Sequence, residues 1–281
     1  MTTNAYMPQL GAGSGLGRSI RLRRLFGDNG KAVVVALDQA VPRGVAPRLA
    51  AIQDTWSQID AGGPDAVTVS KGIAASLFGG SGRPRPWILK ASTFSVDFHL
   101  TYDATVASVD EAVRLGADAV AVGISAGSSV QAQMLEMLSR VTERAAELGM
   151  PTVCHAYPSG ELWGDRKGSE ESVLYAARAA AECGVDIIKT WYTGSTESFR
   201  NVVDGTPGLV MVAGGKKLDT DLEVLQFAQS VVDAGAAGLT IGRNVWGADN
   251  PTAMVKALRA IVHDGVSATE AARTHLDVVT A

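Results

Sequence analysis

Lys189 is the residue whose surroundings point most directly to covalent chemistry. It stands in GVDIIKTWYTG, directly behind Ile187 and Ile188. A lysine in an apolar strand is rarely buried without purpose. Desolvation and nearby cations lower a lysine pKa and leave a fraction of free amine able to attack a carbonyl. The same pattern also fits a lysine ion-paired to Asp38, or a strand phased so that the amine points outward. Tyr157, in HAYPSG, could shuttle protons between Lys189 and a substrate; it also reads as a packed tyrosine before the turn-forming Pro158. Asp38 closes the apolar run VVVALDQA. It could hold a substrate hydroxyl, act on the proton of a carbinolamine, or cap the following loop. Lys71 and Lys90 either tune the charge around Lys189 or sit in salt bridges.

Two glycine-containing turns carry a second kind of chemistry. Gly214-Gly215-Lys216-Lys217 and Gly242-Arg243-Asn244 each follow an apolar run. Glycines let backbone N–H groups approach an anion, and Lys216 or Arg243 supplies charge and further donors. Either turn alone also reads as a tight strand-to-helix connection with solvated charges. Together, on the last two strands of a barrel, they match the usual phosphate pocket of such folds. Other motifs carry less. Gly11-Ala-Gly13-Ser-Gly15-Leu-Gly17 has no preceding strand and no following helix-plus-acid unit, so it reads as flexible chain, not a dinucleotide loop. His99, His155, His263 and His275 are dispersed without zinc-type spacing, so no metal is expected. His155 can line a pocket, and His263 and His275 read as helix-surface residues. Cys154 and Cys183 sit in apolar segments and read as core residues, not as a disulfide framework.

These residues must be positioned by regular elements, and the pattern for those is clear. Short apolar runs at 32–37, 65–70, 87–90, 118–123, 151–155, 185–189, 209–213 and 237–241 alternate with helical stretches. They are apolar almost throughout, as strands buried on both faces are. Amphipathic patterns predict helices over 104–115, 129–148 and 219–234. Gly116, Gly149, Gly184 and Gly235 stand where left-handed helix caps would be. Eight strands with crossover helices predict an α/β fold, a single (β/α)8 TIM barrel over residues 26–281. Residues 1–25 form a short N-terminal extension with a helix at 19–26. Active sites of such barrels lie at the C-terminal strand ends, which is where Asp38, Lys71, Lys90, His155, Tyr157, Lys189 and both glycine turns fall. The chain has 281 residues, 46% apolar and 19% charged, with a net charge of −4. That balance gives no reason to expect nucleic acid or an anionic membrane as partner. No apolar run reaches the ~18 residues of a membrane span, and the first residues lack a secretory core, so the expected location is cytoplasmic.

Taken together, the residues resemble the class I aldolases of the archaeal-type fructose-bisphosphate aldolase family, broadly related to deoxyribose-phosphate aldolase. Its relatives include the aminodideoxyheptulosonate synthases and the autoinducer-2-processing thiolase. The resemblance covers about residues 18–265, and its strongest pieces are YPSG, VDIIKTWYTG, VMVAGGKKLD and AGLTIGRNVWGADNP, in family order. It implies Lys189 as the Schiff-base lysine, Tyr157 as proton donor and acceptor, and Asp38 as the third catalytic group. It further implies phosphate binding by Gly214, Gly215, Lys216, Gly242 and Arg243. No cofactor or metal is implied, and a homo-oligomer, often a ring, is. The sequence departs from the family at Gln39-Ala40, where many members carry His-Gly, at His155, often another aromatic residue, and at Trp191, often smaller or more polar. His155 and Trp191 are therefore expected to contact substrate near its carbonyl or aldehyde end. The implied substrate is a small phosphorylated ketone or sugar, dihydroxyacetone phosphate or fructose 1,6-bisphosphate foremost. The alternatives are synthesis with another aldehyde such as aspartate semialdehyde, thiolase-like action on a phosphorylated diketone, and a non-catalytic sugar-phosphate binder.

Overall fold

The computed structural model describes residues 15–80, 84–93 and 104–276. Eight parallel strands close into a barrel in sequence order: β1 (Ala32–Ala36), β2 (Ala66–Val69), β3 (Trp87–Lys90), β4 (Ala119–Ser125), β5 (Thr152–Tyr157), β6 (Ile187–Thr190), β7 (Leu209–Ala213) and β8 (Gly238–Ile241), with β8 pairing back onto β1. All eight predicted runs form, with ends displaced by at most one or two residues. Gly116, Gly149, Gly184 and Gly235 all adopt positive φ and turn the chain from a helix toward the next strand.

Side chains alternate across each strand, and the barrel sorts them into two cores. Val33, Val35, Leu89, Val120, Ile124, Ile188, Val210 and Leu239 pack outward against the helices. Val34, Ile88, Ala121, Val153, Ile187 and Met211 fill the barrel interior. Two residues further along the inner face the character changes from apolar to polar, from Ile88 to Lys90, Val153 to His155 and Ile187 to Lys189. Beneath the apolar layer, helix α1 (Gly15–Leu25) inserts Leu22 and Leu25, with Phe26, among the inner side chains. This corrects the reading of Gly15, Leu16 and Gly17 as flexible: they are the first turn of α1, and the boundary drawn at residue 25 separates the barrel from its own floor. Gly11, Gly13 and His99 lie outside the described residues.

The helix predicted over 104–115 begins only at Val109. Ser108 accepts the Glu111 N–H and caps it, while Ala104–Thr105 pairs antiparallel with Ser92–Thr93. The other two predicted helices, Gln131–Glu147 and Asp221–Asp233, end within two residues of expectation. Among the described residues no helix is long and apolar enough to cross a membrane.

A repeated Gly-x-Asp fastens the N-terminal end of the barrel. Asp65, Asp118 and Asp186 directly precede β2, β4 and β6, and each follows its glycine by two residues. Each carboxylate accepts a backbone N–H from the preceding strand: Val33 at 2.7 Å, Trp87 at 3.1 Å and Thr152 at 2.8 Å. The other oxygen meets a cation: Arg259 for Asp65, Arg24 at 2.9 Å for Asp118, and Arg18 for Asp186. Two of the three cations belong to α1, so the floor helix is tied to the strands it covers. His263 also binds Asp65, Nε2 to Oδ2 at 2.8 Å, and is mostly buried there, not on an outer helix surface as expected. Burial pushes the Asp65 carboxyl up, but His263, the Val33 N–H and Arg259 outweigh it and hold it below the usual range. For Asp118 burial wins and the carboxyl is raised despite Trp87 and Arg24. At β8 the equivalent of the aspartate is Ala237. Replacing Asp186 with alanine strands the Thr152 N–H and should cost about 1–3 kcal/mol of stability. Urea unfolding of the two proteins measures it, and a difference below about 0.5 kcal/mol would remove the clasp from the stability account.

Candidate active site

At the opposite end, where the inner face turns polar, the strand ends enclose a cavity of about 320 Å³, a size suited to a small ligand. Asp38 enters from beyond β1, Lys90 from β3, His155 and Tyr157 from β5, Lys189 from β6, and Thr240, Gly242 and Arg243 from β8 and its turn. Lys189 follows Ile187 on the inner face and is 6% exposed. His155 is its register partner on β5. Trp191, beyond β6, stacks on Tyr157 with ring centroids 5.6 Å apart at 24°, walling one side.

Burial lowers the Lys189 amine to about 8; Asp38 opposes the shift and Lys90 adds to it. Burial, reinforced by the Asp38 charge, raises the Tyr157 phenol well above its ordinary value and keeps it protonated. Burial, then Lys189 and Lys90, drive His155 well below the usual histidine value, so its ring is neutral. A partly deprotonated amine, a protonated phenol and a carboxylate thus share one enclosure. Such a set can add nitrogen to a carbonyl and move protons while the adduct dehydrates.

The rim is built by close backbone approaches. A Cβ on Gly214 would stand 2.4 Å from Ile241 Cγ1, and one on Gly242 2.7 Å from the Ala36 carbonyl oxygen. Asn244, buried, donates to the carbonyls of Gly214 at 2.7 Å and Lys216 at 3.0 Å, and Arg243 donates to that of Gly215 at 2.7 Å. The two glycine turns are therefore one structure, and its glycines and Arg243 line the cavity. Across the barrel the loop after β5 is clamped. Ser159 Oγ lies 2.6 Å from Ser125 Oγ, the Ala126 carbonyl accepts from Gly160 N–H and Trp163 Nε1–H, and Ala126 N–H donates to the Tyr157 carbonyl. A Cβ on Gly160 would lie 2.0 Å from the Gly127 backbone, so only glycine allows this packing.

Asp38, Tyr157, Lys189, His155, Trp191, Gly214, Gly215, Gly242 and Arg243 all line the cavity, as does Gln39. Lys216 does not: it is exposed, and its carbonyl accepts from Asn244. Lys71 is also remote. It opens a surface helix and pairs with Glu111 at 3.1 Å, so of the two candidate tuning lysines only Lys90 faces Lys189. Lys90 is buried and donates to Ser92 Oγ at 3.2 Å. Sequence reasoning missed Arg43 and Lys167 at the cavity mouth. Arg43 ends the short helix Ala40–Arg43 and Lys167 follows the 3-10 helix Glu161–Arg166, each several residues beyond a strand end, where no period marks them. Among the described residues no three His, Cys, Asp or Glu side chains converge as a metal site.

Comparison with known proteins agrees with this geometry. A sequence profile described as DeoC/LacD family aldolase matches residues 32–248. The chain is 36% identical over 249 residues to 2-amino-3,7-dideoxy-D-threo-hept-6-ulosonate synthase of Halobacterium salinarum, covering 88% of this chain and 92% of that protein. It is 32% identical over 262 residues to 3-hydroxy-5-phosphonooxypentane-2,4-dione thiolase of Escherichia coli, covering 92% and 87%. Among solved structures, an archaeal fructose-1,6-bisphosphate aldolase with its catalytic lysine covalently bound to the carbinolamine intermediate superposes with a TM-score of 0.79 at 31% identity, covering 87% of this chain and 99% of that one.

The electrostatics of the cavity make a direct prediction. Labelling of Lys189 by an amine-selective acylating reagent, followed by peptide mass spectrometry, should rise with pH to a midpoint near 8, because only the unprotonated amine reacts. Lys90→Met removes the neighbouring cation and should move that midpoint upward. A midpoint above about 10 in the parent protein, the range of an ordinary lysine, would contradict the assignment.

Proposed function

Because the chain belongs to the DeoC/LacD family of aldolases and is a Schiff-base lyase, we propose that it makes or breaks a carbon–carbon bond beside a phosphorylated ketone held as an imine on Lys189. The observation that carries this reading is a buried amine, lowered to about 8, that shares one cavity with Asp38, Tyr157 and the Gly214–Gly215 and Gly242–Arg243 turns. Lys189 Nζ adds to the ketone carbon. The Tyr157 phenol protonates the carbinolamine hydroxyl, which leaves as water and gives an iminium and a phenolate. The phenolate then takes a proton from the adjacent carbon and an enamine forms. Its electron pair attacks an aldehyde carbon, and the regenerated phenol returns the proton to the aldehyde oxygen. Cleavage is the reverse. Asp38 orients the amine or a substrate hydroxyl. The glycine N–H groups and Arg243 anchor the phosphate, so binding energy remote from the reacting carbon positions it.

We assign dihydroxyacetone phosphate, or a ketose phosphate such as fructose 1,6-bisphosphate built from it, as the substrate, on the strength of the solved relatives. The second reading is a biosynthetic aldolase or transaldolase using another aldehyde. It is favoured by the 36% identity to the dideoxyheptulosonate synthase and by Gln39, His155 and Trp191 around the carbonyl end of the cavity. The family resemblance also supports a homo-oligomer.

Borohydride reduction after incubation with dihydroxyacetone phosphate or fructose 1,6-bisphosphate should leave a reduced adduct on Lys189, located by peptide mass spectrometry. Absence of an adduct with these and with other phosphorylated ketones would sink the Schiff-base assignment. Lys189→Ala should abolish turnover in a protein that still folds. Arg243→Ala should raise KM for phosphorylated substrates by the equivalent of about 1.5–3 kcal/mol, the worth of a charge-assisted contact, and leave an unphosphorylated analogue little affected. Equal losses for both would count against a phosphate contact.

A further inference from the structure

His155 is the inner-face residue of β5 that neither amine addition nor phosphate binding uses. Its Cα is in register with Lys189 on β6 on one side and with Gly123 on β4 on the other. The imidazole is 4% exposed and lines the cavity, and its Nε2 has no hydrogen-bond partner among the described residues. The Tyr157 ring stands next to it, with centroids 6.0 Å apart at 48°. Buried polar atoms in folded proteins are nearly always satisfied, so an unpartnered ring nitrogen beside an enclosed amine marks a position that a ligand atom completes.

The charges around the ring decide what it can do there. Lys189 and Lys90 both act on it and both disfavour a third positive charge. Once an imine has formed, the Lys189 nitrogen carries a positive charge as an iminium, so the ring stays neutral through the reaction. A neutral imidazole between two cations is a weak base, and its N–H is correspondingly a strong hydrogen-bond donor. Two oxygens gain the electron pair of a C=O bond in the reaction. One is the ketone oxygen as the amine adds, which Tyr157 serves. The other is the aldehyde oxygen as the new carbon–carbon bond forms, which is where a further donor can act.

We propose that His155 is a catalytic residue that donates a hydrogen bond from its ring to the aldehyde-derived oxygen while that oxygen carries negative charge. It gives up no proton; the proton that finally neutralises the oxygen comes from Tyr157, which took it from the ketone-derived carbon. This role rests on the Schiff-base reading above. It separates the work of His155 in time from imine and enamine formation, which precede any contact with the aldehyde.

That separation supplies the test. In His155→Phe, which keeps an aromatic ring and removes the donor, borohydride trapping of dihydroxyacetone phosphate on Lys189 should stay within about twofold of the parent. Exchange of the substrate's C3 proton with deuterated water should do the same. Turnover, measured as cleavage of fructose 1,6-bisphosphate or as condensation of dihydroxyacetone phosphate with glyceraldehyde 3-phosphate or aspartate semialdehyde, should fall about 10²–10³-fold, the usual loss of one preorganised oxyanion donor. His155→Asn, which restores an N–H, should recover part of that loss. Turnover of His155→Phe within about threefold of the parent would overturn the role and leave the imine on Lys189 standing. A matching loss of trapping and exchange would overturn it too, reducing His155 to support for Lys189. No adduct on Lys189 in the parent would overturn both readings together.

Discussion

An amine enclosed at the top of an apolar shaft is the constraint on which the rest of this structure depends. A buried ammonium is costly, and the cost falls when the group gives up its proton. Lys189 meets that condition because the layer directly beneath it, Val34, Ile88, Val153, Ile187 and Met211, is apolar and closed below by Leu22 and Leu25 of α1. Lys90 adds a like charge and Asp38 withholds full neutralisation. With the amine near 8, about one tenth of it is free at pH 7. A leaking floor would hydrate the shaft and return the amine toward its ordinary, unreactive state. The aspartate clasps and the two α1 arginines at the far end of the barrel therefore belong to the chemistry as much as to the fold.

The rim solves a different problem, since a substrate must meet both the amine and an anchoring site without slack. Gly214 and Gly242 are positions where neighbouring atoms leave no space for a Cβ, and Asn244 and Arg243 tie their turns together through carbonyl oxygens. Those bonds turn the backbone into a fixed surface, not a loop that must be ordered on binding. On the other side the Trp163 clamp and the Ser125–Ser159 contact hold the segment that follows Tyr157. Preorganisation of this kind is what lets a distant contact contribute to positioning at the reacting carbon.

Much of this was legible in the sequence, for reasons that also explain what was not. Two-sided burial writes each barrel strand as an apolar run, and a lone Lys, His or Asp at the end of such a run stands out, so Asp38, His155 and Lys189 could be placed without coordinates. The glycine turns were legible because positive φ and close approach restrict the residue type. That Lys216 stands outside the cavity lining was not legible, because a turn of several residues gives no period to say which side chain faces inward. Lys71 looked equivalent to Lys90, yet one position in strand phase separates an inner-face residue from one that opens a surface helix. Glycines in the first turn of α1 hid only its start: the helix read over 19–26 begins at Gly15, and its stability comes from packing on the barrel, not from propensity. Arg43 and Lys167 lie on connecting segments, and only the closed barrel brings them to the mouth.

Their arrival changes the electrostatic balance of the cavity. Arg43, Lys90, Lys167, Lys189 and Arg243 line it against one carboxylate, Asp38, among the described residues. Arg43 and Lys167 are exposed, so salt screens their fields, whereas Lys90 acts on Lys189 inside the barrel, where little water intervenes. Lys90 favours the free amine, and the cationic lining suits an anion. On the reading proposed above, a phosphate dianion held by Arg243 would offset this lining charge, and a positive charge on the Lys189 nitrogen would become less costly. That is the charge an iminium carries. Under that reading the anion that anchors the substrate would also favour the cationic intermediate. Affinity for phosphate and reactivity of the lysine would for this reason be coupled, and a substitution that weakens one electrostatically should be expected to disturb the other.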